Sequence, residues 1–196
     1  LGVAASGASR GAILLAGLAG LTAGAMSMAA GEYVSVSSQA DTENAALAEE
    51  KDELRADPQY ELEELVRIYM ERGLDRTTAE AVASQLSAHD ALATHARDEL
   101  GITDAATARP LQAAAASAVT FSVGAAVPLI TVLLVPEARL TVAVVGSALL
   151  FLMLLGWMGA RAGRAPAGRA VARVAFWGAV AMAITWGIGR LAGAVV

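Results

Sequence analysis

Apolar residues dominate four stretches of this chain, 11–31, 112–135, 140–160 and about 172–195. Each is long enough to cross a hydrocarbon core as a helix of about 20 residues. The segment between the first and second stretches has a different pattern. "DTENAALAEEKDELRA" (41–56) is rich in strong helix formers. Asp57-Pro58 then breaks the pattern, because the residue before a proline disfavours the α region. "PQYELEELVRIYMERGL" (58–74) predicts a second helix, with Leu62, Leu65, Ile68 and Tyr69 at helical spacing and Gly73 as its stop. "DRTTAEAVASQLSAHDALATHARDELGI" (75–102) predicts one further helix or two, starting at an Asp75 or Thr77 cap and ending near Gly101. No strand pattern rises above this background.

The expected fold is therefore all-α: a polytopic membrane helix bundle of four complete spans plus the remnant of a first, with a cytoplasmic helical insertion. The opening "LGVAASGASR" is too short to span a bilayer, and it has no basic region ahead of the apolar run to make it a signal peptide. Residues 1–9 are expected to be what remains of a truncated first transmembrane helix. Residues 10–39 form a transmembrane helix continuing into the cytoplasm, 40–110 an acidic helical domain, and 111–196 three transmembrane helices.

Composition agrees with this reading. Of the 196 residues, 56% are hydrophobic and only 17% are charged, against about 25% charged in a typical soluble domain. The charge is segregated: residues 41–109 hold 17 of the 19 acids but 7 of the 14 bases, a net charge of −10. Two different solvents are implied. The absence of cysteine excludes disulfides and thiolate metal sites. Arg161, Arg164, Arg169 and Arg173 crowd the last connection, whereas "PEAR" (136–139) balances one acid with one base, so the positive-inside rule puts the arginine-rich turn in the cytoplasm. Counting back through the spans puts the acidic segment on the same side.

Two groups of residues could carry chemistry. In the first span Gly20, Gly24, Met28 and Glu32 follow one another at i, i+4, so one helical face passes from small residues to a thioether and then a carboxylate. An ionisable group in a span faces a bundle interior or a wet cavity by default, since lipid exposure at mid-depth costs roughly 2.5 kcal/mol or more; an interfacial Glu32 and a merely packing Met28 are the alternative. In the acidic segment Glu50 and Glu53, and again Glu61 and Glu64, are three apart, and His95 and Glu99 are four apart. If these helices fold back on one another, their carboxylates and imidazole form an oxygen-rich set suited to Mn²⁺ or Fe²⁺. The spacing alone is weak evidence, because acidic helices are usually solvated faces, with Lys51, Arg55 and Arg67 as partners here and His89 and His95 as surface or capping residues.

A longer run is more specific. "AGLTAGAMSMAAGEYVSVSSQADTE" resembles the cytoplasmic end of the second transmembrane helix of the vacuolar iron transporter family, and "ELEELVRIYMERGL", "DELGI" and "AMAITWGIGRL" fit later landmarks of that family in order. The resemblance covers essentially the whole chain and implies a five-helix transporter, not an enzyme. Such proteins are commonly homodimers that move Fe²⁺ and similar divalent metals out of the cytoplasm in exchange for protons. It implies metal-binding roles for Glu50, Glu53, Glu61, Glu64 and Glu99, and a translocation-path role for Met28, with Glu32 inferred to join it.

This chain departs from the family pattern in two places. His95 and Ala96 stand where methionines can precede the last glutamate, so His95 is inferred as a borderline ligand replacing a soft one. The Asn-Asp-Gly motif that the family's first helix contributes is not present. A membrane-anchored metal-binding or sensor protein without transport is the alternative function, and a purely structural bundle a third. No tightly bound cofactor is expected, with Fe²⁺, Mn²⁺ or similar ions as substrate. The expected partners are membrane lipid and a second copy of the chain, not nucleic acid. Ala, Gly and Arg richness with a single lysine points to the multi-pass plasma membrane of a high-GC bacterium.

Overall fold

The computed structural model describes residues 1–103 and 108–195, and every regular element among them is helical. The helices are α1 (Gly2–Ala5), α2 (Arg10–Ala56), α3 (Pro58–Glu71), α4 (Arg76–Asp98), α5 (Pro110–Leu134), α6 (Leu140–Ala162) and α7 (Ala167–Val195), with a 3-10 turn at Glu137–Arg139. Four of them, α2, α5, α6 together with the 3-10 turn before it, and α7, are long and apolar enough to cross a membrane. The chain divides into two compact units, Leu1–Ala29 with Ala115–Val196, and Ala30–Ala114.

The first span and the start of the acidic segment are one continuous helix. Nothing between Arg10 and Ala56 interrupts α2: it contains no proline, and its 47 residues extend about 70 Å at 1.5 Å per residue. It stops where the sequence requires. Asp57 leaves the helical region (φ −143°), its carboxylate accepts the Tyr60 N–H at 3.0 Å, and Pro58 occupies the first turn of α3, where a missing N–H costs nothing.

In the unit Ala30–Ala114, α3 and α4 pack through Leu65, Val66 and Tyr69 against Ala79 and Ala83, with Leu62, Ile68, Val82 and Leu86 around them. The alanines let the helices approach closely. Gly73 closes α3 at φ +102°, a left-handed conformation that glycine adopts without steric cost. Asp75 caps α4 by accepting the Thr78 N–H at 3.1 Å and the Thr78 hydroxyl at 2.7 Å. The choice between one helix and two over 75–102 resolves as two helical segments that meet at a kink at Asp90 within α4. Asp90 is extended (φ −159°), and its carboxylate recaps the chain by accepting the Ala93 N–H at 2.9 Å.

In the other unit α6 and α7 form a hairpin in which Gly156 lets Val171 of α7 approach closely and Gly178 lies under Leu152. The short helix α1 docks on α7 through small residues. A Cβ on Gly189 would fall on the carbonyl of Gly2, and one on Gly193 would strike Ser6. The pairs Gly2/Ser6 and Gly189/Gly193 thus form a small-xxx-small seam. Arg10 caps α5 by donating to Leu133 O at 3.3 Å and Val135 O at 2.5 Å, and the Thr131 hydroxyl meets Ser147 Oγ of α6 at 2.9 Å. Ile13, Val132, Leu140 and Val144 form a small core. Most of the apolar surface of the spans points outward, including Leu15, Leu18, Val142, Leu150 and Leu191, as expected where lipid replaces water as solvent.

Candidate metal centre

Three helices of the unit Ala30–Ala114 bring acidic and imidazole groups to one point. Glu50 comes from the end of α2, Glu61 from the first turn of α3, His95 from the last turn of α4, and Glu99 from the residue that ends it. Each offers a ligand atom, and these atoms all lie within 4.8 Å of one another. The Pro58 break turns Glu61 back toward Glu50. The first turn of a helix also suits a carboxylate, because the exposed N–H groups there carry partial positive charge.

His95 is the hub. Its Nδ1 lies 2.8 Å from Glu99 Oε2, 3.0 Å from Glu50 Oε1 and 3.8 Å from Glu61 Oε2. His95, Glu50 and Glu61 are buried at 0%, 2% and 5% exposure, while Glu99 closes the site from its solvent side. Such burial is costly for charge. Burial pushes the Glu50 carboxyl up to about 7, reinforced by Glu99, Glu61 and Glu53 and opposed by His95. Burial likewise raises Glu61, again against the pull of His95. The Nδ1 hydrogen bond goes to Glu99 Oε2, so Glu50 Oε1, although within ion-pair distance of Nδ1, and His95 Nε2 have no hydrogen-bond partner among the described residues. One imidazole cannot satisfy three carboxylates. A divalent cation could, and three oxygen donors with one nitrogen match the borderline first-row metals.

The other sequence candidates lie elsewhere. Glu53 is exposed and outside this group, though near enough for its charge to raise Glu50 and Glu61. Glu64 is half-buried with Arg67 3.8 Å away. Arg55 pairs with Asp52 at 3.2 Å, and Arg67 also lies over the Tyr60 ring, so neither base neutralises the centre. His89 is exposed. Met28 and Glu32 are both exposed on α2, one turn apart.

Sequence reasoning missed what fixes the end of α4. Asp98 accepts the Tyr69 hydroxyl at 2.9 Å, Arg72 Nη1 at 2.7 Å and Arg97 Nη2 at 2.6 Å, while Arg72 Nη2 reaches the Asp98 carbonyl at 2.6 Å. These bonds, Arg97 foremost, hold the Asp98 carboxyl well below the usual carboxylate range, and burial beside Asp98 raises the Tyr69 hydroxyl. Asp98 adjoins Glu99, so the network holds one wall of the candidate centre against α3. The only signal in the sequence was a tyrosine and an arginine three apart at the end of α3.

The model of the VIT family matches residues 1–190. A vacuolar iron transporter of Acanthamoeba castellanii is 47% identical over 190 residues, which cover 96% of this chain and 72% of that protein. Vacuolar iron transporter homolog 2 of Arabidopsis thaliana is 36% identical over 93% of this chain and 69% of its own length. VIT-like transporter 1b of Glycine max is 34% identical over 99% and 68%. With that match along nearly its whole length and four helices of spanning length, the chain belongs to the VIT family.

Proposed function

We propose that this protein is a metal-ion transporter, not an enzyme, that carries Fe²⁺, and Mn²⁺ as a close analogue, out of the cytoplasm in exchange for protons. The observation that carries the reading is the buried group of Glu50, Glu61, His95 and Glu99, three carboxylates sharing one imidazole. Its setting supports it, in a multi-pass chain whose relatives are named iron transporters.

In this mechanism the acidic unit, residues 40–110, faces the cytoplasm of a bacterium and gathers metal there. The net charge of −10 over residues 41–109 raises the local cation concentration, an effect that salt weakens. Glu50, Glu61, His95 and Glu99 bind the ion, with Glu53 and Glu64 as outer carboxylates. The ion then passes to Glu32 and Met28 on α2, which line a path at the axis of a homodimer. The thioether favours transition metals over Mg²⁺ and Ca²⁺. Protons and metal compete for the same carboxylate lone pairs, so proton entry drives metal release.

The test is anaerobic Fe²⁺ uptake into proteoliposomes that contain the full chain and an internal pH dye. The reading expects saturable uptake with a matching pH change, both strongly reduced in Glu50→Gln/His95→Ala and in Glu32→Ala/Met28→Ala. Saturable metal binding without any uptake would replace transport with a membrane-anchored metal-binding or sensor role. No binding at all would overturn the metal reading.

A further inference from the structure

We propose that the turn between α6 and α7 is a binding surface for the phosphate headgroup of an anionic membrane lipid. Arg161, Arg164, Arg169 and Arg173 stand within thirteen residues and are all exposed. Among the described residues none of the four lies within ion-pair distance of a carboxylate, although most arginines of the other unit are paired. This is uncompensated charge of one sign at a fixed place.

The turn is short and closed by its own backbone. Only 163–166 separate the two helices, and the Gly163 N–H to Gly159 O bond at 2.9 Å and the Ala165 N–H to Ala160 O bond at 2.8 Å close the turn. Arg164 adopts φ +51°, uncommon for a residue with a side chain, and is exposed in the turn. Arg161 lies 5.6 Å over the Trp157 ring, one turn into α6, and Arg169 and Arg173 share a face of α7.

The surroundings select the partner. The four arginines border the ends of two helices long and apolar enough to cross a membrane, so they lie at headgroup depth, where tryptophan is also enriched. The turn at the other end of α6 carries one acid and one base, Glu137 and Arg139, and lacks this charge. A guanidinium matches a phosphate with two parallel hydrogen bonds. A phosphate tethered in the bilayer reaches the turn with no loss of translational freedom beyond that of the lipid itself.

The experiment uses the full chain in a neutral detergent, with retention of phosphatidylglycerol and phosphatidylcholine followed by native mass spectrometry. The expected result is preferential retention of phosphatidylglycerol, weakened roughly fivefold for each arginine replaced in Arg164→Gln, Arg169→Gln and their double variant, and unchanged in Arg139→Gln. On the unaltered protein the preference is expected to fall as salt rises. Equal retention of the two lipids, a preference indifferent to salt, or full competition by inorganic phosphate at the lipid's concentration would each overturn the proposal.

Discussion

His95 Nδ1 of α4 stands 3.0 Å from Glu50 Oε1 of α2, both side chains buried. Neither group could be left there alone. The imidazole needs a partner for its nitrogen, and the carboxylate needs a positive charge, so the arrangement is complete only when a cation or a proton joins it.

The first prediction ranks the ligands. Glu50→Gln, Glu61→Gln or His95→Ala in the full chain is expected to weaken Fe²⁺ or Mn²⁺ binding by at least 10- to 100-fold, the range found even for residues that only orient ligands. Glu53→Gln, which is exposed, is expected to cost less. Anaerobic calorimetry on the detergent-solubilised protein reads this directly, and equal losses at Glu50 and Glu53 would contradict the ranking.

A second prediction concerns pH. The Glu50 carboxyl is raised from 4.5 to about 7 in the folded protein, so the metal-free native state binds a proton that the unfolded chain releases sooner. Its contribution to stability is full below the unfolded value and declines as pH rises toward and through 7. With chelator present, protection of α3 and α4 in hydrogen exchange is expected to fall between about pH 5 and pH 8, whereas metal affinity rises over the same window. Asp98 has the opposite sign: its carboxyl is lowered, so the stability it supplies is present at neutral pH and is lost on acidification below the ordinary carboxylate value.

Tyr69→Phe is expected to destabilise the α3–α4 pair by about 1 kcal/mol, the usual worth of one hydrogen bond. Asp98→Ala should cost more, because it leaves the Tyr69 hydroxyl and one face of Arg72 without an acceptor. Leu65→Ala, at 0% exposure, should cost about 2–5 kcal/mol. Urea unfolding followed by the ellipticity of the acidic unit would order the three.

Gly189→Val is expected to undock α1 from α7, because even a Cβ there would fall on the Gly2 carbonyl. Gly187→Ala, two residues away with nothing within 4 Å, is the matched control. The melting temperature in detergent should fall for the first and hold for the second.

Much of the architecture was legible from residue pattern. The four spans follow from apolar length, the α2–α3 boundary from Asp57-Pro58, and the end of α3 from Gly73, because each is set by neighbours a few positions away. Three features were not legible. That α2, expected to continue past the span only to residue 39, runs unbroken as far as Ala56 depends on the lack of any competing turn across a change of solvent. The kink at Asp90 arises because its side chain caps Ala93 in preference to continuing the helix. The docking of Gly2 on Gly189 joins residues from opposite ends of the chain.

The candidate site divides the same way. Sequence spacing determined that Glu50 and Glu53 share a face, as do Glu61 and Glu64, and that His95 and Glu99 lie one turn apart, because helical periodicity is local. Only the tertiary structure decided that one carboxylate of each pair turns inward: Glu50 and Glu61 meet His95 and Glu99, Glu53 remains in solvent, and Glu64 lies near Arg67. That choice depends on how α2, α3 and α4 rotate about their axes as Leu65, Val66 and Tyr69 pack against Ala79 and Ala83. A helix's rotation is fixed by what it packs against, and no spacing within one helix contains it.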